Sequence, residues 1–211
     1  MASSKLKLLP LFPLKLVVYP TEILKLHIFE PRYKQLIAEC AAKQSTFGIP
    51  VYLDNKVGEY GTEVKLSSID HRYKDGELDI TVEGLKVFKI NRLDYRPSDR
   101  LYPKGEVELL ENIPDSSAIL NEKIVEQLSK LYEILGVDKK KFFLNSFDLA
   151  HHIGLTKEQE YNLLKIQKEI DRQTFILLHL KQIVPVVIET ERLKFKIKMN
   201  GHFKRLNPLN F

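Results

Sequence analysis

Residues 64–82 read VKLSSIDHRYKDGELDITV, and this stretch predicts the β-hairpin around which the first half of the chain is organised. Asp75-Gly76 is typical of a type I′ turn, in which both central residues have positive φ angles. Apolar residues alternate with polar ones on both sides of it, namely Val64 and Leu66 before the turn and Leu78, Ile80 and Val82 after it. A period of two indicates strands with one buried face.

Shorter apolar runs around the hairpin predict further strands. Residues 6–14 contain Pro10 and Pro13, so we expect an irregular edge strand, because proline cannot donate a hydrogen bond to a central ladder. Two more strands are indicated by Phe88 with Ile90 and by Val107 with Leu109. Five or six short strands favour a small barrel or sandwich. One short helix is expected to begin at Pro31, since proline suits the first helical position.

The second half has helical periodicity. A helix ending at the C-cap residue Gly136 is predicted by Ile124, Leu128, Leu131 and Leu135. A shorter helix is expected over residues 146–153. Thr156 and Gln159 match a capping box, and the helix they open is expected to end at Val184, because Pro185 follows. These patterns predict an α+β protein with a β region over 1–112, a helical region over 113–184 and an extension over 185–211.

The C-terminal extension carries most of the net charge. The chain has a net charge of +5, and residues 185–211 contain 6 basic and 2 acidic residues. Apolar residues alternate with lysines in it, namely Leu193, Phe195, Ile197 and Met199 with Lys194, Lys196 and Lys198. Asn200-Gly201, a strong hairpin dipeptide, follows. We therefore predict a short basic two-stranded ribbon with one apolar face.

Composition and missing motifs exclude several classes of protein. A single cysteine, Cys40, excludes an intramolecular disulfide framework. No apolar run is long enough to span a membrane, and the N-terminus lacks a convincing secretion signal, so we expect a cytoplasmic protein. The sequence contains no P-loop, no G-x-S-x-G elbow and no H-E-x-x-H motif. We expect neither enzymatic activity nor a cofactor.

A possible metal site lies in the helical region. Asp148, His151 and His152 have a spacing that could place three ligand atoms on one helix face. The simpler interpretation, which we favour, is a helix-start aspartate with one buried and one solvated histidine. A metal site would also need a fourth ligand and supporting contacts that the sequence does not indicate.

Two further groups admit a catalytic interpretation beside a structural one. Cys40 could form a thiol pair with His27 or His71, but a lone cysteine on the apolar stripe of a short helix usually belongs to the core. In the segment Phe29-Glu30-Pro31-Arg32-Tyr33, the charged residues are better explained as helix initiation. Its two aromatic residues are then expected to fix the helix onto the β region.

Several motifs of the first half resemble the N-terminal, substrate-binding domain of Lon proteases. They are LPLFPL at 9–14, VVYP at 17–20, LHIFEPRY at 26–33, FGIP at 47–50, Gly61-Thr62, the Asp75-Gly76 turn, and Gly84 with Phe88. The chain departs from the family pattern at Thr21, where glycine is common, and at Val87, where arginine is usual. The resemblance implies a PUA-like β-barrel followed by a helical bundle.

The resemblance also implies a non-catalytic role. A full Lon protease has an ATPase module and a serine-lysine peptidase domain, and neither fits in 211 residues. We therefore expect a stand-alone protein that binds unfolded or partner polypeptides, as an adaptor or regulator of proteolysis. Candidate contacts lie near the irregular edge, where an extended segment could pair with the main chain. They are Leu11, Phe12, Tyr19, Ile23 and Ile28.

Two alternatives remain open at this stage. PUA-like barrels include RNA binders, and the basic ribbon could contact phosphates. The candidate residues for RNA are Lys194, Lys196, Lys198, Lys204 and Arg205. The chain could instead be a structural partner of a larger machine, with the cell's own Lon protease as one candidate. The helical region would then offer a surface along Leu163, Leu164, Ile170, Leu177 and Leu180.

Overall fold

The computed structural model describes residues 6–136 and 145–203, with side chains up to Met199. The strands are β1 Leu6–Pro10, β2 Ile23–Ile28, β3 Phe47–Leu53, β4 Lys56–Arg72, β5 Leu78–Asp94 and β6 Lys104–Leu109. The helices are α1 Pro31–Lys43, α2 Ala118–Leu135, α3 Ser146–Ala150, α4 Lys157–Leu164 and α5 Glu169–Phe203. An N-terminal sheet followed by helices confirms the predicted α+β class.

The six strands form an antiparallel sheet centred on β5. The hydrogen-bonded order is β1-β6-β5-β4-β3, and β2 also pairs with β5. β4 accompanies β5 on one side, while β2 and β6 follow each other along the other side. Isolated parallel bridges join Leu11 to Gly48 and Leu14 to Val51, so the chain after β1 reaches β3. The continuous ladder does not close, and the predicted PUA-like barrel is not confirmed.

The predicted hairpin at Asp75-Gly76 is confirmed, but its turn type is wrong. Gly76 has a φ of 81°, whereas Asp75 is not among the described residues with positive φ. The Tyr73 N–H donates to the Glu77 carbonyl (2.9 Å), which leaves a three-residue loop with glycine at its left-handed position. A two-residue turn with positive φ at both positions occurs instead at Asp54-Asn55, which joins β3 to β4.

The predicted ends of the helices are partly right. α2 ends at Gly136, which has a φ of 63°, and Thr156 and Gln159 form the expected capping box of α4. The prediction of one continuous helix from there to Val184 is wrong, because α4 ends at Leu164. The prediction that Pro185 ends the last helix is also wrong, since α5 continues through it. Pro185 is exposed, so water can hydrate the carbonyl that loses its N–H partner.

The predicted C-terminal ribbon is wrong, because residues 193–203 continue α5 as a helix. Adding a residue to an existing helix costs no new nucleation, whereas a ribbon would have to pair two new strands. Lys194, Lys196 and Lys198 therefore lie on a helix. Lys204 and Arg205 lie outside the described residues.

The helices and the sheet share one hydrophobic core. Val17, Tyr19 and Val51 from the β region pack in the same cluster as residues of α2, α3, α4 and α5. Most of the helical surface considered for partner docking is part of this core: Leu163, Leu164, Leu177 and Leu180 are buried. Among those five candidates only Ile170 is exposed, at 37%.

A buried ion pair organises the start of α5. Arg172 donates from Nε and Nη2 to Glu169 Oε2, at 2.9 and 2.7 Å, and the two residues are 2% and 5% exposed. The other carboxylate oxygen of Glu169 accepts from Ser146 N–H and Oγ at 2.9 and 2.7 Å, which fixes the start of α3. The guanidinium also lies over the Phe147 ring, 4.2 Å from its centre.

The same arginine explains why α4 and α5 are separate helices. Arg172 Nη1 donates to the carbonyls of Ile166 and Gln167, at 2.8 and 3.0 Å, and Nη2 donates to Asn112 Oδ1 at 2.5 Å. The segment after β6 also contacts the break between α4 and α5, because the Ile113 N–H donates to the Gln167 carbonyl. One side chain thus joins the segment after β6, the helix break and α5.

Substitution of Arg172 by methionine is expected to destabilise the fold by about 3–5 kcal/mol, because it leaves Glu169 buried without its charge partner. Urea unfolding measures the change. The matched control is Lys130→Met, which removes an exposed pair with Glu126 (2.7 Å) and should cost less than about 1 kcal/mol. Equal losses in both variants would contradict the role assigned to the buried pair.

Candidate functional site

The predicted polypeptide-binding residues divide into core and surface. Leu11, Phe12, Tyr19 and Ile28 are 0%, 6%, 1% and 1% exposed. Their side chains therefore belong to the core and are not available at the surface. Ile23, at the start of β2, is 58% exposed. Of the five candidates, it alone points to an accessible surface.

β2 has a free edge beside Ile23. One side of β2 pairs with β5, and no backbone hydrogen bond to its other side is found among the described residues. The Gly84 N–H donates to the Glu22 carbonyl, so the Glu22 carbonyl points toward β5. In an antiparallel ladder the backbone groups of successive residues point to opposite sides, so those of every second residue after Glu22 also point toward β5. The N–H and C=O groups of Ile23, Lys25 and His27 therefore face the free edge.

Exposed side chains accompany this edge. Ile23, Lys25 and His27 are exposed, while the alternate residues face the core. Phe29, just beyond β2, is 58% exposed, and Tyr73 in the β4–β5 turn is 41% exposed. The expectation that Phe29 fixes α1 onto the β region is wrong, although Tyr33 is buried as expected. We call Ile23, Lys25, His27, Phe29 and Tyr73 the β2-edge surface.

A polar network holds the aromatic end of this surface in place. His27 Nδ1 lies 2.7 Å from Asp79 Oδ1, and Nε2 lies 2.9 Å from Glu77 Oε2. The Tyr73 hydroxyl donates to Asp79 Oδ2 at 2.8 Å. The hydrogen bonds to Asp79 and Glu77 raise the pKa of His27. The rings of Phe29 and Tyr73 lie 6.2 and 5.7 Å from that of His27, so the network orients a small aromatic patch.

The sequence contained a signal for this surface. Residues 23–29 read ILKLHIF, in which Leu24, Leu26 and Ile28 alternate with exposed residues. That alternation is typical of a strand with one buried face. What it could not indicate is which edge of the strand stays free.

The residues considered for a metal site make other contacts. His151 Nδ1 lies 2.7 Å from Glu160 Oε1, and Nε2 lies 3.3 Å from Glu22 Oε2. Asp148 and His152 also have interaction partners. No group of three or more His, Cys, Asp or Glu side chains suited to a metal ion is found in the described ranges. His151 instead bridges the loop before β2 and α4.

The other two groups have structural roles. Cys40 is 2% exposed and packs in the core, where burial raises the pKa of its thiol. α1 begins at Pro31, and the Arg32 Nε donates to Glu30 Oε2 at 2.8 Å. The guanidinium of Arg32 also lies 4.5 Å from the centre of the Tyr33 ring. These contacts confirm the interpretation of this motif as helix initiation.

The lysines proposed for RNA do not share one face. Lys194, Lys196 and Lys198 are exposed on α5. Residues two apart on a helix are rotated by about 200°, so Lys194 and Lys198 lie on one side and Lys196 on another. The one-sided basic surface expected of a ribbon is therefore absent from this part of α5.

A cavity of about 810 Å³ lies between α2, α3 and α5. Its walls include Val125, Leu128, Tyr132 and Gln173. Asn145, which also lines the cavity, directly follows residues 137–144, which lie outside the described residues.

The geometry defines a class of protein: an antiparallel sheet covered by a helical region, with an accessible strand edge. The model of the ATP-dependent protease La (LON) substrate-binding domain matches residues 8–182. The chain belongs to this family, which confirms the resemblance seen in the sequence. In the described part of the chain, no helix combines the length and hydrophobicity needed to cross a membrane.

Two solved structures are similar to this chain. The Lon N-terminal domain protein from Xanthomonas campestris is 27% identical, with a TM-score of 0.66, covering 82% of this chain and 98% of that one. The N-terminal domain of the Mycobacterium avium complex Lon protease is 16% identical, with a TM-score of 0.62, covering 83% and 98%. The second similarity concerns the fold alone.

The stabilisation that His151 provides by linking the loop before β2 to α4 is expected to depend on pH. Hydrogen bonds to Glu22 and Glu160 raise the pKa of His151 from 6.5 to about 9. Because the folded-state pKa is raised, the stabilisation is complete below pH 6.5 and is lost as the pH rises through about 9. The free energy of unfolding in urea should therefore differ most between the wild type and His151→Gln at about pH 6, and least at about pH 10. A difference that does not change with pH would contradict this assignment.

Proposed function

We propose that this chain binds extended segments of unfolded polypeptide along the free edge of β2. The role is non-catalytic. The observation that carries the proposal is the coincidence of free main-chain groups with the exposed side chains of Ile23 and Phe29 on one strand edge. Membership of a family described as a substrate-binding domain supports a polypeptide as the ligand.

The edge supplies two kinds of interaction. Main-chain hydrogen bonds to Ile23, Lys25 and His27 would add the bound segment to the sheet as a strand, irrespective of its sequence. Exposed apolar groups at Ile23, Phe29 and Tyr73 would bury hydrophobic side chains of the segment. Unfolded chains offer both free main-chain groups and exposed hydrophobic side chains. Folded proteins bury most of their hydrophobic residues and pair most of their backbone groups internally.

We further propose that this binding serves proteolysis, with the chain acting as an adaptor or regulator. A Lon protease is the candidate partner. The support is the family description, which refers to an ATP-dependent protease. In this role the chain would hold a polypeptide in an extended, unfolded state without cleaving it.

Replacement of Lys25 by proline is expected to weaken binding along β2 strongly. Proline removes the N–H that faces the free edge and leaves the hydrogen bonds to β5 in place, as proline does on edge strands. Lys25→Ala, which removes the side chain and keeps the N–H, is the matched control. Binding of reduced, carboxymethylated α-lactalbumin by fluorescence anisotropy should drop at least about tenfold for proline relative to alanine.

The apolar contacts are tested by variants that leave the backbone unchanged. Ile23→Ser and Phe29→Ser should each weaken binding of the same polypeptide about fivefold to tenfold, because each removes exposed apolar area. Leu101→Ser is the control, since Leu101 is 64% exposed elsewhere on the surface. Equal effects of all three substitutions would refute a site on β2.

The same assay separates polypeptide from RNA. Binding along β2 should persist at high salt, because it depends on apolar area and main-chain hydrogen bonds. Single-stranded RNA bound by lysines would instead dissociate steeply as salt rises. Salt-sensitive RNA binding without polypeptide binding would replace the proposed function with the RNA alternative.

A further inference from the structure

The last part of α5 carries most of its apolar side chains at the surface, and Val187 is the last residue with a described side chain that packs against the core. Val184 is the last buried residue of the helix. From Val186 to Met199 the apolar side chains of Val186, Ile188, Leu193, Phe195, Ile197 and Met199 are 44–70% exposed. Large apolar side chains clustered on the surface of a helix indicate an interaction surface.

We propose that this segment pairs with the same segment of a second copy of the chain, as a short antiparallel two-helix coiled coil. This inference is independent of the polypeptide-binding proposal, because it uses no residue of the β2-edge surface. A second copy of the chain is the occupant to which the spacing of the apolar residues and the distribution of the charges point.

The spacing of one apolar stripe is that of a coiled-coil seam. The seam consists of Val186, Thr190, Leu193 and Ile197, which follow one another at intervals of four, three and four residues. Such intervals keep residues on one side of a helix, where they can pack between residues of a facing helix. The Thr190 hydroxyl donates to the Val186 carbonyl at 2.8 Å, so its polar group is satisfied within the helix.

Side-chain sizes favour an antiparallel arrangement. In an antiparallel pair centred between Thr190 and Leu193, each Ile197 faces Val186 of the other copy and each Leu193 faces Thr190 of the other copy. Large side chains then meet smaller ones in every layer. In a parallel pair, Thr190 would face Thr190 and leave a poorly packed layer in the centre of the seam.

The charges beside the seam favour the same arrangement. Glu189 and Lys196 flank it seven residues apart, so in the antiparallel pair Glu189 of each copy faces Lys196 of the other. Lys196 forms no ion pair with any described residue, and Glu189 has only a long contact of 3.9 Å with Arg192. A parallel pair would direct Glu189 to Lys194, which already contacts Glu191 at 2.7 Å.

Self-association is measured by sedimentation of the full chain between about 1 μM and about 1 mM, the range in which a short interface dimerises. Leu193→Ser with Ile197→Ser should weaken dimerisation at least about tenfold. The matched control is Phe195→Ser with Met199→Ser, which removes similarly exposed apolar residues from the opposite side of α5. This control should change the dimerisation affinity less than about threefold.

Charge reversal tests the pairing directly. Glu189→Lys alone and Lys196→Glu alone should each weaken the dimer, whereas the double variant should restore it. Cysteine cross-linking tests the direction: a mixture of Val186→Cys and Ile197→Cys chains should form a disulfide between the two variants, and neither should do so alone. The native Cys40 is buried and does not interfere.

Three results would overturn the proposal. They are a monomer at every concentration, equal weakening by the control pair, and cross-linking of Ile197→Cys with itself, which would indicate a parallel pair. Circular dichroism of each variant confirms that α5 remains helical. Loss of polypeptide binding in the β2 variants leaves these outcomes unchanged, so each proposal can fail separately.

Discussion

The buried Arg172–Glu169 pair is the interaction on which the arrangement of sheet and helices depends. Each of its charged groups is enclosed, so each must be fully hydrogen-bonded for the fold to be stable. That requirement brings together Asn112 in the segment that follows β6, the break between α4 and α5, and the start of α3. The helices are thereby held in one orientation over the core that they share with the sheet.

With the helices fixed on one part of the sheet, other edges remain free. β5 supplies hydrogen bonds to β4 on one side and to β2 and β6 on the other, which leaves the outer edge of β2 without a strand partner in the described structure. His27, Asp79 and Tyr73 then fix the aromatic groups beside this edge. A rigid scaffold with an open edge is well suited to binding chains of varied sequence.

The two proposed surfaces lie on different elements and use different physics. The β2 edge offers main-chain hydrogen bonds, which recognise the extended conformation of a ligand more than its sequence. The end of α5 offers a narrow apolar seam flanked by one acidic and one basic residue, which recognise a matching helix. A dimer formed through α5 would present two β2 edges, and two linked sites can bind one long polypeptide more tightly than either alone.

The sequence by itself determined the hairpin before β5, the C-terminal end of α2 and the capping box of α4, because each depends on residues close together in the chain. It also determined the family, through motifs such as FEPRY at 29–33. Only the tertiary structure decided that Leu11, Phe12, Tyr19 and Ile28 are buried while Ile23 and Phe29 are exposed. It also decided that the chain breaks between α4 and α5, where Arg172 contacts the carbonyls of Ile166 and Gln167, and that α5 continues through Pro185 and the alternating residues after Leu193. The burial pattern and the helix break depend on contacts between distant segments, which local patterns do not encode, and the alternating residues of α5 follow the helix already begun before them.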